Sequence, residues 1–256
     1  MGGAIGFASD YDGTLDLHHG AGITVQDRAA IASFREQGGL FGMNTGRTKR
    51  GLYPKLHGKV DIDFAVLLSG ALILDGDGEV IWERRLPRDA MSDVVKDCRM
   101  KALGLYLVAG TEYWTTSPVT LLRRARSMIN VVHKLSEIPD PIYGVAFRML
   151  TLNGAARLAE HINETYADVL CAHQNEHSVD VTPAGCSKAS GLEIVRNELG
   201  ISTLGAIGDS YNDIPMMEEA DIGYTFHTAP KALREAADAV VPTVSAALED
   251  FLDRTR

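Results

Sequence analysis

The chain opens with a short apolar run, Ala4-Ile5-Gly6-Phe7-Ala8, that gives way to Asp10-Tyr11-Asp12-Gly13-Thr14-Leu15. A short apolar run ending at a carboxylate reads as a buried parallel strand. Such a strand delivers Asp10 to its carboxyl end, where open parallel sheets bind their ligands. A second carboxylate two residues on, followed by Gly-Thr, is unusual for a plain turn. One Asp can act as a nucleophile and its neighbour can move a proton. Turn chemistry alone is the simpler account of an Asp beside a Gly, so the stretch needs partners elsewhere in the chain.

Those partners follow in order. Phe41-Gly42-Met43-Asn44-Thr45-Gly46-Arg47 is a second apolar run, ending in Thr-Gly-Arg. Ser187-Lys188 opens a helical pattern much later. Ile207-Gly208-Asp209-Ser210-Tyr211-Asn212-Asp213 is a third strand end, with two Asp residues four apart. Taken together, these stretches resemble the four motifs of the haloacid dehalogenase (HAD) superfamily, in its Cof-like branch of small-molecule phosphatases. The match runs from near Asp10 to about Pro242. Two departures lie near the expected mouth of the site. Ser69-Gly70-Ala71 stands where many relatives carry Asn-Gly-Ala, and His227-Thr228 replaces a small Gly-Asn pair.

The rhythm of the chain predicts an α/β fold: a Rossmann-like parallel-sheet core with an inserted α+β cap domain. Thr24-Val25-Gln26-Asp27 reads as a capped helix start and Gly38-Gly39 as a stop. Strands follow at Leu40–Met43 and Phe64–Leu68, with a short helix after Arg47. A hairpin is then expected around Asp75-Gly76-Asp77-Gly78. From about Arg88 to Thr182 helices alternate instead with paired strands, with hairpins expected around Ala109-Gly110-Thr111-Glu112 and between Val169–His173 and His177–Val181. Both crossings carry proline, in Leu86-Pro87-Arg88 and Thr182-Pro183-Ala184. Residues 1–85 and 184–256 are therefore expected to form the core and 86–183 the cap. The resemblance implies a cap after the third core strand, acting as a lid over the site.

Bulk properties narrow the partners. A net charge of −9 argues against nucleic acid or an anionic membrane as the main partner. A phosphorylated small molecule remains compatible, because a local metal outweighs global charge. The three cysteines, Cys98, Cys171 and Cys186, are widely spaced and form no zinc pattern, so reduced thiols are expected. The first ten residues lack a basic start followed by a long apolar stretch, so no signal peptide is read and a cytoplasmic location is expected. A monomer or homodimer is expected.

The resemblance assigns roles residue by residue. Asp10 is the nucleophile and Asp12 the general acid and base. A Mg2+ ion is held by the carboxylates of Asp10 and Asp209 and the backbone carbonyl of Asp12. Asp213 and Asn212 support that shell or orient Lys188, while Thr45, the Gly46 amide and Lys188 hold phosphoryl oxygens. Arg47, His173, Asn175 and His177 are candidates for substrate contacts. Each role has a plainer alternative: Asp209 and Asp213 could cap a helix, and Lys188 could be a solvated first-turn lysine. Lysine is disfavoured at a helix N-terminus by the dipole, which hints at an anionic partner. His18 and His19 read as an exposed flap, and Arg123, Arg124 and Arg126 as a polar helix face.

The implied activity is Mg2+-dependent hydrolysis of a small phosphorylated metabolite, such as a sugar phosphate, through an aspartyl-phosphate. A phosphotransferase or phosphomutase would use the same intermediate. A receiver-like signalling module would also phosphorylate an Asp, but Asp12 would shorten the life of that phosphoryl group. A nicotinamide-binding fold is disfavoured because no Gly-rich fingerprint follows the first strand.

Overall fold

The computed structural model describes residues 3–17, 22–116 and 129–255. The chain separates into two compact units, Met1–Glu83 with Ser187–Arg256, and Arg84–Cys186. The expected breaks were 85/86 and 183/184. The difference has a local cause: Arg84 Nη1 donates to the Ala184 carbonyl at 2.6 Å, tying the outgoing and returning links together. Pro183 is itself the last residue of a strand of the second unit.

The first unit begins with β1 (Ala4–Ser9), α1 (Val25–Glu36), β2 (Leu40–Asn44), α2 (Lys49–Leu56), β3 (Phe64–Leu67), β4 (Leu72–Asp75) and β5 (Val80–Glu83). Thr24 caps α1 by accepting from the Asp27 N–H at 3.0 Å, as the sequence predicts. The second unit contributes α3 (Arg88–Cys98), β6 (Gly104–Ala109), β7 (Glu112–Thr115), β8 (Ile129–Val131), β9 (Ile142–Arg148), α4 (Leu152–Thr165), β10 (Leu170–Asn175) and β11 (Ser178–Pro183). The chain then returns to the first unit with α5 (Lys188–Glu198), β12 (Ile201–Ile207), α6 (Ile214–Glu219), β13 (Ile222–Thr225), α7 (Lys231–Ala236), β14 (Ala239–Val240) and α8 (Val244–Thr255). His18, His19, Arg123, Arg124 and Arg126 lie outside the described residues.

Among the described residues the first unit carries a sheet in the order β14-β13-β12-β1-β2-β3-β4-β5. The pairings from β14 to β3 are parallel, and β4 and β5 add an antiparallel edge. Strand order reverses at β1, which lies between β12 and β2. A reversal of this kind opens a crevice at the carboxyl ends of the neighbouring strands. The second unit carries a sheet in the order β10-β11-β9-β6-β7-β8, antiparallel except where β7 meets β8. Helices α3 and α4 bury Met91, Val94, Val95, Leu158 and Ile162 in the same core as Leu107, Phe147 and Val181 of this sheet. No helix among the described residues is long and apolar enough to cross a membrane.

Phe7, in the middle of β1, anchors the first unit. Its ring lies 5.4 Å from Phe251, 5.8 Å from Tyr224 and 6.3 Å from both Phe34 and Phe41. Those partners come from α8, β13, α1 and β2, so one side chain joins elements from both ends of the chain. Truncating it leaves a cavity that rigid strand backbone cannot fill. Phe7→Ala should destabilise the first unit by about 3–5 kcal/mol, measured as a lower urea midpoint at unchanged slope. A loss below about 1 kcal/mol would mean that this cluster does not hold the unit together.

Candidate active site

Asp10 follows the last residue of β1, and its N–H donates to the Ile207 carbonyl at the end of β12 at 3.0 Å. Asp209 lies one residue beyond the end of β12, separated from it by Gly208, so the two carboxylates meet at the strand reversal. One oxygen from each of Asp10, Asp209 and Asp213 lies within 4.8 Å of the other two. Gly13 makes the close approach possible. It adopts φ +78°, and a Cβ there would fall 2.2 Å from Asp209 Oδ2. Thr14 Oγ1 donates to Asp209 Oδ1 at 3.2 Å.

Lys188 is the first residue of α5, behind Ser187, whose side chain forms a reciprocal cap with Ser190. Its Nζ donates to Asp10 Oδ1 and to Asp213 Oδ1, both at 2.6 Å. All three residues are buried: Asp10 is 5% exposed, Lys188 3% and Asp213 0%. Lys188 is therefore a bridge between two carboxylates and not a solvated first-turn lysine. Burial opposes its charge, but Asp10 and Asp213 outweigh that and hold its pKa above the ordinary lysine value. Burial pushes the Asp10 carboxyl up to about 7, with Asp213 and Asp209 adding to the rise and Lys188 opposing it.

Asp213 does two jobs at once. Its Oδ2 accepts from the Asp209 and Ser210 N–H groups at 3.0 and 2.9 Å, so it caps the short 3₁₀ turn at Tyr211–Asp213. Its Oδ1 meets Lys188. The capping role and the site role are thus carried by opposite oxygens of one carboxylate. Ser210 Oγ donates to Asn212 Oδ1, which directs the Asn212 side chain back over its own turn.

Asp12 and Arg47 form a bidentate pair, with Nε and Nη2 each 2.6 Å from a carboxylate oxygen. Arg47 Nη1 also donates to the Gly51 carbonyl at 3.2 Å, and the guanidinium lies 5.2 Å from the centre of the Tyr11 ring. Thr45 is buried, and its carbonyl accepts from the Ser69 N–H at 3.2 Å. Gly46 is exposed, and its N–H has no partner among the described residues. In the second unit, His173 lies beside Cys171, Asn175 is exposed at the end of β10, and His177 sits in the turn before β11.

Asn44 was missed by the sequence reading. It is fully buried at the end of β2, and its Nδ2 donates to the Lys188 carbonyl at 2.8 Å. The signal for it was a lone amide closing the apolar run before Thr-Gly-Arg. The Arg47–Asp12 pair was also missed, because its partners lie 35 residues apart in sequence.

Residues 7–247 match the model of one family, described as haloacid dehalogenase-like hydrolase. The chain belongs to that family. Among curated relatives, this HAD-like hydrolase is 26% identical to the 5-amino-6-(5-phospho-D-ribitylamino)uracil phosphatase YcsE of Bacillus subtilis, over 92% of the chain and 89% of that protein. It is 34% identical to stress response protein YhaX of B. subtilis, but over only 30% of the chain and 27% of that protein. A solved structure of a HAD-superfamily phosphatase from Bacteroides thetaiotaomicron shares the fold, with TM-score 0.81 and 24% identity over 98% of this chain and 94% of the other.

The high pKa of Asp10 sets a pH dependence. In the unfolded chain Asp10 ionises near its ordinary value of 3.8, whereas the folded, metal-free site holds the proton up to about 7. The contribution of Asp10 is therefore present below the unfolded value and is lost as pH rises through that window. Urea midpoints in chelator should show a component that falls with pH from about 4 to about 7 in the wild type and is missing in Asp10→Asn. Identical pH slopes for the two proteins would contradict the assignment.

Proposed function

We propose that this HAD-like hydrolase is a Mg2+-dependent phosphatase that cleaves a small phosphomonoester, such as a sugar phosphate, through an aspartyl-phosphate on Asp10. The observation that carries this reading is the convergence of Asp10, Asp209, Asp213 and buried Lys188 at the strand reversal. The family and the similarity to a phosphatase that acts on a phosphorylated sugar-alcohol chain support it.

The donor set suits a hard cation. It consists of carboxylate oxygens with no thiol or imidazole, which favours Mg2+ over zinc. Asp213 already serves Lys188 and two backbone N–H groups, so we assign the ion to Asp10, Asp209 and the Asp12 carbonyl. Bound Mg2+ would supply positive charge that keeps Asp10 ionised and offsets the phosphoryl oxygens.

In the first step the Asp10 carboxylate attacks phosphorus as the bond to the leaving alcohol oxygen breaks. Asp12 gives that oxygen a proton. Asp12 then takes a proton from water, and the hydroxide attacks phosphorus to release phosphate and restore Asp10. Lys188, Thr45 and the exposed Gly46 amide hold the phosphoryl oxygens. Asp213 orients Lys188, with Asn212 steadying the turn. Arg47 positions Asp12, and the proton-donating step requires one of their two hydrogen bonds to open. Because these residues all lie in the first unit, we assign substrate selection to the inserted unit, with Asn175 and His177 as its candidate contacts.

The test is phosphate release across a panel of sugar phosphates, nucleotides and cofactor phosphates, with and without Mg2+. We expect activity that chelator removes and Mg2+ restores. Asp10→Ala should abolish it in a folded protein, and Asp12→Ala should cost on the order of a hundredfold or more. Near-wild-type release by folded Asp10→Ala, or full activity after exhaustive chelation, would overturn the proposal.

A further inference from the structure

A second group of metal-ligand side chains lies wholly within the inserted unit. Asp97 and Cys98 close α3, and His161 lies in the second half of α4. A carboxylate oxygen of Asp97, the Cys98 sulfur and a ring nitrogen of His161 all lie within 4.8 Å of one another. His161 Nε2 is 2.7 Å from Asp97 Oδ2. Tyr166 OH donates to the same oxygen at 3.5 Å, and Lys101 Nζ donates to Asp97 Oδ1 at 3.3 Å. The fold explains the meeting. Cys98 of α3 and Ile162 of α4 are buried in one core. Asp97 and His161 each precede one of those buried residues and stand at its rim, with side chains 32% and 39% exposed. His161 is 64 residues from Asp97, so spacing along the chain carries no sign of the group.

We propose that Asp97, Cys98 and His161 bind a divalent cation of the zinc class, which fastens α3 to α4. The donor set selects the metal. One thiol, one imidazole and one carboxylate suit zinc, whereas the all-carboxylate group at the strand reversal suits Mg2+. The position favours a cation. Asp97 and Cys98 occupy the last turn of α3, where the negative end of the helix dipole lies. There is room to complete the shell. His161 lines a cavity of about 250 Å3 together with Met149, Arg157 and Leu158, so water can take the fourth position. A plain Asp97–His161 ion pair would account for the carboxylate and the imidazole, but it does not require a sulfur beside them.

Binding exchanges a proton for the metal. Burial pushes the Cys98 thiol up to about 11, with Asp97 adding to the rise and Lys101 opposing it. The cation takes the place of the thiol proton, which leaves to solvent. Lys101 is half exposed, so its ammonium can turn to water as the metal replaces it on Asp97. Tyr166 then holds the Asp97 carboxylate from behind, the kind of supporting contact that orients a metal ligand. The metal joins the first helix of the inserted unit to its second, so binding should stabilise that unit. This proposal does not depend on the phosphatase reading.

The test titrates the whole, reduced protein with Co2+ in excess Mg2+, using cobalt as a coloured substitute for zinc. The expected result is a near-ultraviolet band from thiolate-to-cobalt charge transfer that saturates at one equivalent and is abolished by Zn2+. The carboxylate group at the strand reversal has no sulfur and cannot give that band. Cys98→Ser should lose it, and Cys171→Ser should keep it. His161→Gln changes a partly exposed side chain and should weaken Co2+ binding by more than about tenfold, the cost of losing even a supporting partner. Zn2+ should raise the urea midpoint of the wild type more than that of His161→Gln, and circular dichroism will establish that each variant is folded. A folded wild type that gives no charge-transfer band would overturn the proposal, and this readout needs no variant. A band retained by folded Cys98→Ser, or unchanged Co2+ affinity in folded His161→Gln, would overturn it as well.

Discussion

The site depends on one buried contact, the Lys188 ammonium held between Asp10 and Asp213. Each of the three groups would be costly to bury alone, and removing one partner of such a set typically costs about 3–5 kcal/mol. The contact also joins distant parts of the chain, since Asp10 directly follows the first strand and Lys188 begins α5 after the whole inserted unit. The charges do not balance. Three carboxylates, Asp10, Asp209 and Asp213, cluster together, and one ammonium pairs with two of them. Burial is the main reason that Asp10 resists ionisation despite its ion pair, and that excess adds to it; a divalent cation would offset the excess.

The fold brings these groups together through strand order. Because β1 sits between β12 and β2, the residues after β1 and β12 face one crevice, and those after β2 border it. Asn44 then reaches from the end of β2 to the Lys188 carbonyl, so the lysine is held at its backbone as well as at its ammonium. Gly13 permits the turn after Asp10 to pass against Asp209. Site geometry and sheet topology are therefore the same constraint seen at two scales.

Much of this was legible in the sequence because the key carboxylates terminate apolar runs. A buried strand has a strong signature, and a polar residue at its end has few other reasons to be there. Strand β13 and the edge strand β14 carry no legible sequence signal of their own. Ile222–Thr225 and Ala239–Val240 are too short to carry a pattern, and pairing with β12 and with each other makes them strands. The Asp12–Arg47 pair depends on side chains brought together by tertiary structure, which spacing does not encode. The unit boundaries shifted because Arg84 binds the Ala184 carbonyl, a long-range contact that prolines in the links do not reveal.

The central claim is that Asp10 carries the phosphoryl group. It is tested most directly by acid-quenching the enzyme during turnover of a phosphomonoester with Mg2+ and mapping the peptides by mass spectrometry. The account predicts one phosphoryl group on the peptide containing Asp10, labile to hydroxylamine and missing in Asp10→Asn. Sustained phosphate release with the phosphoryl group on another residue would contradict it.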